Sequence, residues 1–395
     1  MTMQQHSEFS SFHGRGSLAQ VLNELNRQKE SKIDFVADTR QMSIESTDSG
    51  LRLIPSTQPE HAQIREFLDR KGVAITDRSL QQIGSKCSPE IPTNFLRKLA
   101  QGKPELTSSL INGMFDDGAR RLVRCLDGNV RAFLSDRYRV LDNFDLAFAA
   151  LETVQKHNGE VIEAQLTERH MRLKFTSRDI WQVIEEKRTS ADSSKWYAGG
   201  LGNQKHLGRV GAQTEGELPG GQGTVHPLVT VSNSETGHGG LTVRLGIVRA
   251  ICFNLATVED TVSQIHLGKP LEMGIFQPDT IETDNQAIWL KCRDAITTAF
   301  HPASFQRIVL MAQNAQDQDI SSPVVAVNHL VEAHSISEDS RDAILEYFLC
   351  EYDSTAYGLA QAVSRAAQDI DSADQSNDLE DLAGAIIRQP SLATV

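Results

Sequence analysis

Two apolar, β-prone runs at 120–126 and 129–135 flank the pair Asp127-Gly128. This pattern predicts a tight type I′ hairpin, because glycine accepts the positive φ that the turn requires. With Asp127-Gly128 as a two-residue loop, Leu126 faces Asn129, Cys125 faces Val130 and Arg124 faces Arg131. Strict alternation then places Val123, Cys125, Val130, Ala132 and Leu134 on a core face, and Leu122, Arg124, Arg131 and Phe133 on the other. After the hairpin the period changes. Asn143 reads as an N-cap, and Phe144, Ala147, Phe148, Leu151 and Val154 form an apolar helical stripe that ends before Asn158-Gly159. Runs at 161–166 and 170–176 predict a second strand pair, in which Met171, Leu173 and Phe175 alternate with Arg172 and Lys174. Runs at 228–231 and 241–249, joined by the turn-rich segment 232–240, predict a third hairpin.

Helical spacing dominates elsewhere. Helices are expected at 59–71, 77–83, 92–101 and 106–116 before the first hairpin. Others are expected at 280–300, 302–317, 323–334, 338–352, 355–370 and 379–388, with Ser337 capping the fourth of these. The predicted class is α+β: an antiparallel sheet of hairpins with flanking helices and an all-helical C-terminal extension. The expected organisation is a mobile N-terminal arm over 1–57 with one short helical candidate at 18–28, an α+β core over 58–278, a helical extension over 279–370, and an acidic linker with a short terminal helix over 371–395. Within the core, nine glycines fall between Gly199 and Gly223 and no periodicity survives, so 189–224 reads as a long loop.

Composition narrows the class. The chain has 395 residues, of which 39% are hydrophobic, and no run of 18 apolar residues, so no membrane span is expected. Five scattered cysteines, no Cys-x-x-Cys pair and no leader-like N-terminus point to reduced thiols in a cytoplasmic protein. The net charge of −13 argues against coating duplex DNA by bulk charge. Charge is nevertheless uneven: residues 91–140 carry nine Lys/Arg against five Asp/Glu, and residues 331–395 carry three against thirteen.

The basic stretch is the candidate chemistry. Arg124 opposite Arg131 is a repulsive cross-strand pair, which makes sense if an anion or an acidic neighbour sits over it. Single-strand binders combine cations for the phosphate backbone with aromatic rings for the bases. Arg121, Arg124, Arg131, Arg137 and Arg139 with Phe133 and Tyr138 fit that pattern. Lys195, Trp196, Lys205 and Arg209 of the glycine-rich loop are placed to close over a strand, and Asn233, Ser234 and Glu235 are candidates for a loop lining the same groove. The competing reading makes these arginines ordinary ion pairs and the 232–240 turn purely structural. No nucleophile elbow, metal-ligand spacing or phosphate-cradling glycine motif occurs, so the expectation is a non-enzymatic protein without cofactor or metal.

The blocks Arg131-Ala132-Phe133-Leu134-Ser135-Asp136-Arg137-Tyr138 and 232–254, with Thr355-Ala356-Tyr357-Gly358-Leu359 before an acidic segment, carry a family likeness. The chain resembles, over roughly 90–390, the phage- and plasmid-associated proteins catalogued as domain of unknown function, family 932. The resemblance implies a mobile-element setting and a cytoplasmic protein, and it supplies no catalytic residues.

Together these readings predict a homo-oligomeric, phage- or plasmid-like protein of DNA metabolism that binds, and in a stronger form anneals, single-stranded DNA. The alternative is an accessory protein that self-assembles or binds another protein through its acidic C-terminal helices.

Overall fold

In the computed structural model, residues 14–55, 72–87, 89–116, 118–186, 218–221, 223–250, 255–258, 263–265 and 278–393 are described. The segment expected to be a mobile arm is built into the fold from Gly14 onward. It forms strand β1 (Gly14–Gly16), helix α1 (Leu18–Ser31) and strands β2 (Lys32–Asp38), β3 (Met42–Thr47) and β4 (Gly50–Pro55). A capping box between Ser17 and Gln20 starts α1, and Val21 and Leu25 anchor it in the core. Polar composition concealed the strands because β2, β3 and β4 bury only alternate residues.

The chain continues through β5 (Val73–Ile75), α2 (Asp77–Lys86), α3 (Thr93–Gly102) and α4 (Pro104–Phe115) to the hairpin strands β6 (Arg120–Leu126) and β7 (Asn129–Ser135). Then follow α5 (Asn143–Lys156), β8 (Gly159–Leu166), β9 (Met171–Ser177), β10 (Gln182–Val183), β11 (Thr224–Asn233), β12 (Leu241–Arg249), β13 (Leu255–Ala256) and β14 (Ser263–Ile265). The C-terminal region is all helical: α6 (Pro278–Ala299), α7 (Pro302–Gln316), α8 (Pro323–His334), α9 (Glu338–Glu351), α10 (Ala356–Gln368) and α11 (Ala373–Arg388). Ser337 caps α9 as predicted. The helix expected at 59–71 and most of the 189–224 loop lie outside the described residues.

The predicted α+β class holds, with two curled, mostly antiparallel sheets where one was expected. The first has the order β2-β6-β7-β5-β4-β3, with β5 and β7 as its parallel pair. The second has the order β1-β8-β9-β11-β12-β13, with β10 beside β11 and β14 beside β12. Helices α2–α4 close the first core, where Leu80, Ile83, Leu96 and Ile111 meet Phe35, Ile44, Leu53 and Val123. The second core runs without a break from α1 through the sheet to α11, so the helical extension is packed onto the sheet. No described helix is long and apolar enough to cross a membrane.

The expected acidic linker is the first half of α11. Ser372 accepts from the Gln375 amide and starts a helix six residues earlier than apolar spacing alone suggests. The acidic residues of α11 face cations of the second sheet. Glu163, Lys174, Thr230 and Arg244 form one cross-strand row, over which Glu380 pairs with Lys174 at 2.6 Å and Asp381 with Arg244 at 2.9 Å. Gly384 lets α11 approach so closely that a methyl group there would collide with the Thr257 carbonyl oxygen. Gly384→Ala is therefore expected to cost about 1–3 kcal/mol through overpacking, read as a lower denaturation midpoint.

Candidate functional site

The hairpin forms at the predicted turn, with Asp127 and Gly128 both at positive φ (52° and 73°). Leu126 faces Asn129 and Cys125 faces Val130 as expected. A β-bulge between Arg124 and Cys125 then shifts the register, so Arg124 faces Ala132, Val123 faces Phe133 and Arg121 faces Ser135. The expected Arg124–Arg131 cross-strand pair is thereby broken. The slip also reverses the faces beyond the bulge. Phe133 joins Val123, Cys125 and Val130 in the core, while Leu122, Ala132 and Leu134 share the other side.

Phe133 is accordingly unavailable to a base: it is 1% exposed and stacked on Phe115, with centroids 5.9 Å apart. Arg124 is equally enclosed, at 1% exposure. It holds Asp34 of β2 at 2.9 Å, reaches Asp142 at 3.4 Å, and donates from Nη1 to the Glu235 carbonyl at 2.9 Å. Burial pulls its guanidinium down, yet Glu235, Asp34 and Asp142 outweigh burial and hold it above its ordinary value. Arg131 pairs with the Glu235 carboxylate at 2.5 Å, and Arg139 with Asp284 of α6 at 2.6 Å.

Glu235 is the centre of this arrangement. It comes from the β11–β12 turn of the second sheet and is 4% exposed. Its Oε2 takes Arg131, and its Oε1 accepts the Asn143 amide at 2.7 Å, which caps α5 from a distant strand. The local capping role expected of the Asn143 side chain is therefore replaced by a carboxylate 92 residues away. The rest of the turn binds the same neighbours. Asn233 donates to Leu141 O and Asn143 Oδ1, Tyr138 Oη donates to Ser234 O at 2.5 Å, and Gln82 donates to Thr236 O at 2.8 Å. Of the three candidates Asn233, Ser234 and Glu235, Glu235 is the one bonded to Arg124 and Arg131, while Asn233 and Ser234 hold Leu141, Asn143 and Tyr138; the result is a polar junction between the two sheets. The acidic neighbour anticipated over the arginines is Glu235.

No family model, curated protein or solved structure matches the chain. The chemistry is therefore read from the side chains alone. Among the described residues, no group of three metal-ligating side chains forms.

Once the junction is set aside, a different set of cations remains. Among the described residues, Lys86, Arg97, Lys98, Arg120, Arg121 and Arg137 have no carboxylate within ion-pair distance. Lys86, Arg121 and Arg137 lie where α2 ends, β6 begins and β7 ends, and Arg120 lies beside them on the other strand face, in register with Asp38 of β2. Arg121 donates to Lys86 O at 3.2 Å and pairs in register with Ser135. Arg137 is the exposed corner of the turn closed by Tyr138 N to Ser135 O. Helix α3 starts seven residues after Lys86 and packs on α2, carrying Arg97, Lys98 and a Phe95 that is 55% exposed. Phe95 and Lys98, three positions apart, share a helix face. Sequence reasoning reads this segment only as a helix at 92–101 and does not single out its cations. The signal available was the run of three cations at 97, 98 and 103 without an acidic residue from 91 to 104. Lys195, Trp196, Lys205 and Arg209 lie outside the described residues.

Proposed function

We propose that this is a single-strand nucleic-acid-binding protein whose contact surface is the unpaired cationic end formed by Lys86, Arg120, Arg121 and Arg137 with the outer face of α3. The observation that carries the reading is the contrast in pairing. The arginines of the sheet junction each have a carboxylate, while Lys86, Arg120 and Arg137 are exposed with no carboxylate within ion-pair distance among the described residues. Unpaired cations release counterions on binding a polyanion, whereas paired ones must first break an internal bond. The acidic body limits the contact to this end. Phe95 supplies an aromatic face of the kind on which bases stack. On this reading the protein serves the DNA metabolism of a phage- or plasmid-like mobile element.

Fluorescence anisotropy with a labelled single-stranded oligodeoxynucleotide, repeated over a salt series, tests the reading. The wild type is expected to bind with an affinity that falls steeply with salt. Arg120→Glu/Arg121→Glu/Arg137→Glu is expected to lose at least about tenfold in affinity. Each lost phosphate contact should flatten the log–log salt slope by about 0.7. Identical binding by the triple variant and the wild type, or a salt-independent affinity, would sink the proposal.

A further inference from the structure

The β11–β12 turn carries a second feature, separate from the arginine junction and from the cationic end. His238 in this turn and His170 just before β9 lie edge-on, with ring centroids 6.4 Å apart. Their hydrogen bonds fix which nitrogen titrates. His170 Nε2 donates to His238 O at 3.1 Å, so its Nδ1 is the site that gains a proton. Thr236 Oγ1 donates to Glu168 O at 2.8 Å, so it accepts from His238 Nδ1 at 3.2 Å and leaves Nε2 of His238 to titrate. Both contacts are complete with the rings neutral.

The surroundings oppose a second proton. Arg78 from α2, Arg169 from the β8–β9 turn and Arg172 from β9 face the pair, with Asp374 from α11 as counter-charge. Each guanidinium has its own carboxylate: Glu168 is at 3.3 Å from Arg78, Asp374 at 4.0 Å from Arg169 and Asp381 at 3.8 Å from Arg172. Burial first, and then these guanidiniums, hold both imidazoles below their ordinary range.

We infer that the His170–His238 pair is an acid-sensitive latch that joins the β8–β9 and β11–β12 turns and, through Thr236 and Gln82, the two sheets. Protonation leaves both existing hydrogen bonds in place, so release is electrostatic. Two imidazolium charges then face each other, with three guanidiniums nearby. The sign follows from the depressed values. Above the ordinary histidine range both rings are neutral and the latch is intact. As pH falls through that range the open form takes protons first, and the latch loses strength until the closed form is protonated too.

Amide hydrogen exchange reads this directly, because the Thr236 and His238 amides both donate to Ser234 Oγ, at 3.3 and 2.9 Å. After correction for intrinsic rates, their protection is expected to fall several-fold between about pH 7.5 and about pH 5.5, which brackets the ordinary histidine value. His170→Gln/His238→Gln, whose amides can still donate, is expected to keep the protection seen at the higher pH and lose its dependence on pH. A double variant with undiminished pH dependence would overturn the latch. Should that variant fail to fold, an NMR titration of the wild-type imidazoles decides: titration of both rings below the ordinary value supports the latch, and titration at or above it overturns it.

Discussion

Glu235→Ala is expected to destabilise the protein by about 3–5 kcal/mol, the range found when one partner of a buried ion pair is removed. The substitution strips Arg131 of the partner it holds at 2.5 Å and exposes the first amide of α5, which Glu235 Oε1 accepts at 2.7 Å. It also removes one of the negative charges that keep the 1%-exposed Arg124 guanidinium favourable in the interior. Glu235→Gln should cost less, because an amide oxygen still serves the Asn143 N–H while the charge is lost. Glu235→Leu combined with Arg131→Leu should recover part of the loss by removing both charges together. Denaturant midpoints for the wild type and these three variants test the argument. Equal midpoints for Glu235→Ala and the wild type would show that the junction does not hold the sheets together.

The second large effect is expected under α11. Lys174 is 1% exposed and lies between Glu380 at 2.6 Å and Glu163 at 3.5 Å, with Arg15 reaching Glu163 at 3.2 Å. Lys174→Met leaves two buried carboxylates facing each other with one arginine between them, and should cost about 3–5 kcal/mol at neutral pH. Burial first, and Glu163 as well, already raise the Glu380 carboxyl above its usual range against the pull of Lys174. Without Lys174 that rise should grow. A carboxyl raised in the folded state loses stability as pH climbs through its folded value, so the deficit of Lys174→Met should shrink as pH is lowered. Adding Glu380→Leu should restore much of the stability at neutral pH. A deficit of Lys174→Met that stays constant with pH would mean that Glu163 and Glu380 do not meet as described.

The two networks differ in purpose although both bury charge. Under α11 the cations of a sheet row are matched by carboxylates of one helix, which selects how that helix lies. At the junction, one carboxylate is shared by an arginine of the first sheet and the N-terminus of α5, which sets the two sheets against each other. Neither network needs a ligand, and the junction withdraws Arg124 and Arg131, which the linear sequence offers as contacts. Among the described residues, Arg120 and Arg137 at the end of the first sheet, where β6 starts and β7 stops, stay exposed without a carboxylate within ion-pair distance.

Local rules settled much of the chain. Asp127-Gly128 placed the hairpin turn, and period-2 runs placed β6, β7, β9 and β12. Helical spacing with its caps placed α2–α5 and α6–α10 to within a few residues, because turn geometry and one-sided burial leave their marks on neighbouring residues. Three features lay beyond such rules. The bulge at Arg124/Cys125 depends on what flanks the hairpin, and a shift of one residue was enough to turn Phe133 from a stacking candidate into core. The partners of Arg124 and Arg131 come from β2 and from a turn more than a hundred residues away, and local charge counting cannot register a carboxylate at that separation. The acidic segment 371–378 looked like a linker because the cation beside it is remote: residues 373–378 open α11, and Asp374 lies 4.0 Å from Arg169, about two hundred residues earlier. The chain alone therefore specified which segments become strands and helices, since those choices rest on neighbours within a few positions. Which charges stay free for a partner was decided only on folding, when distant strands and turns were brought within ion-pairing distance.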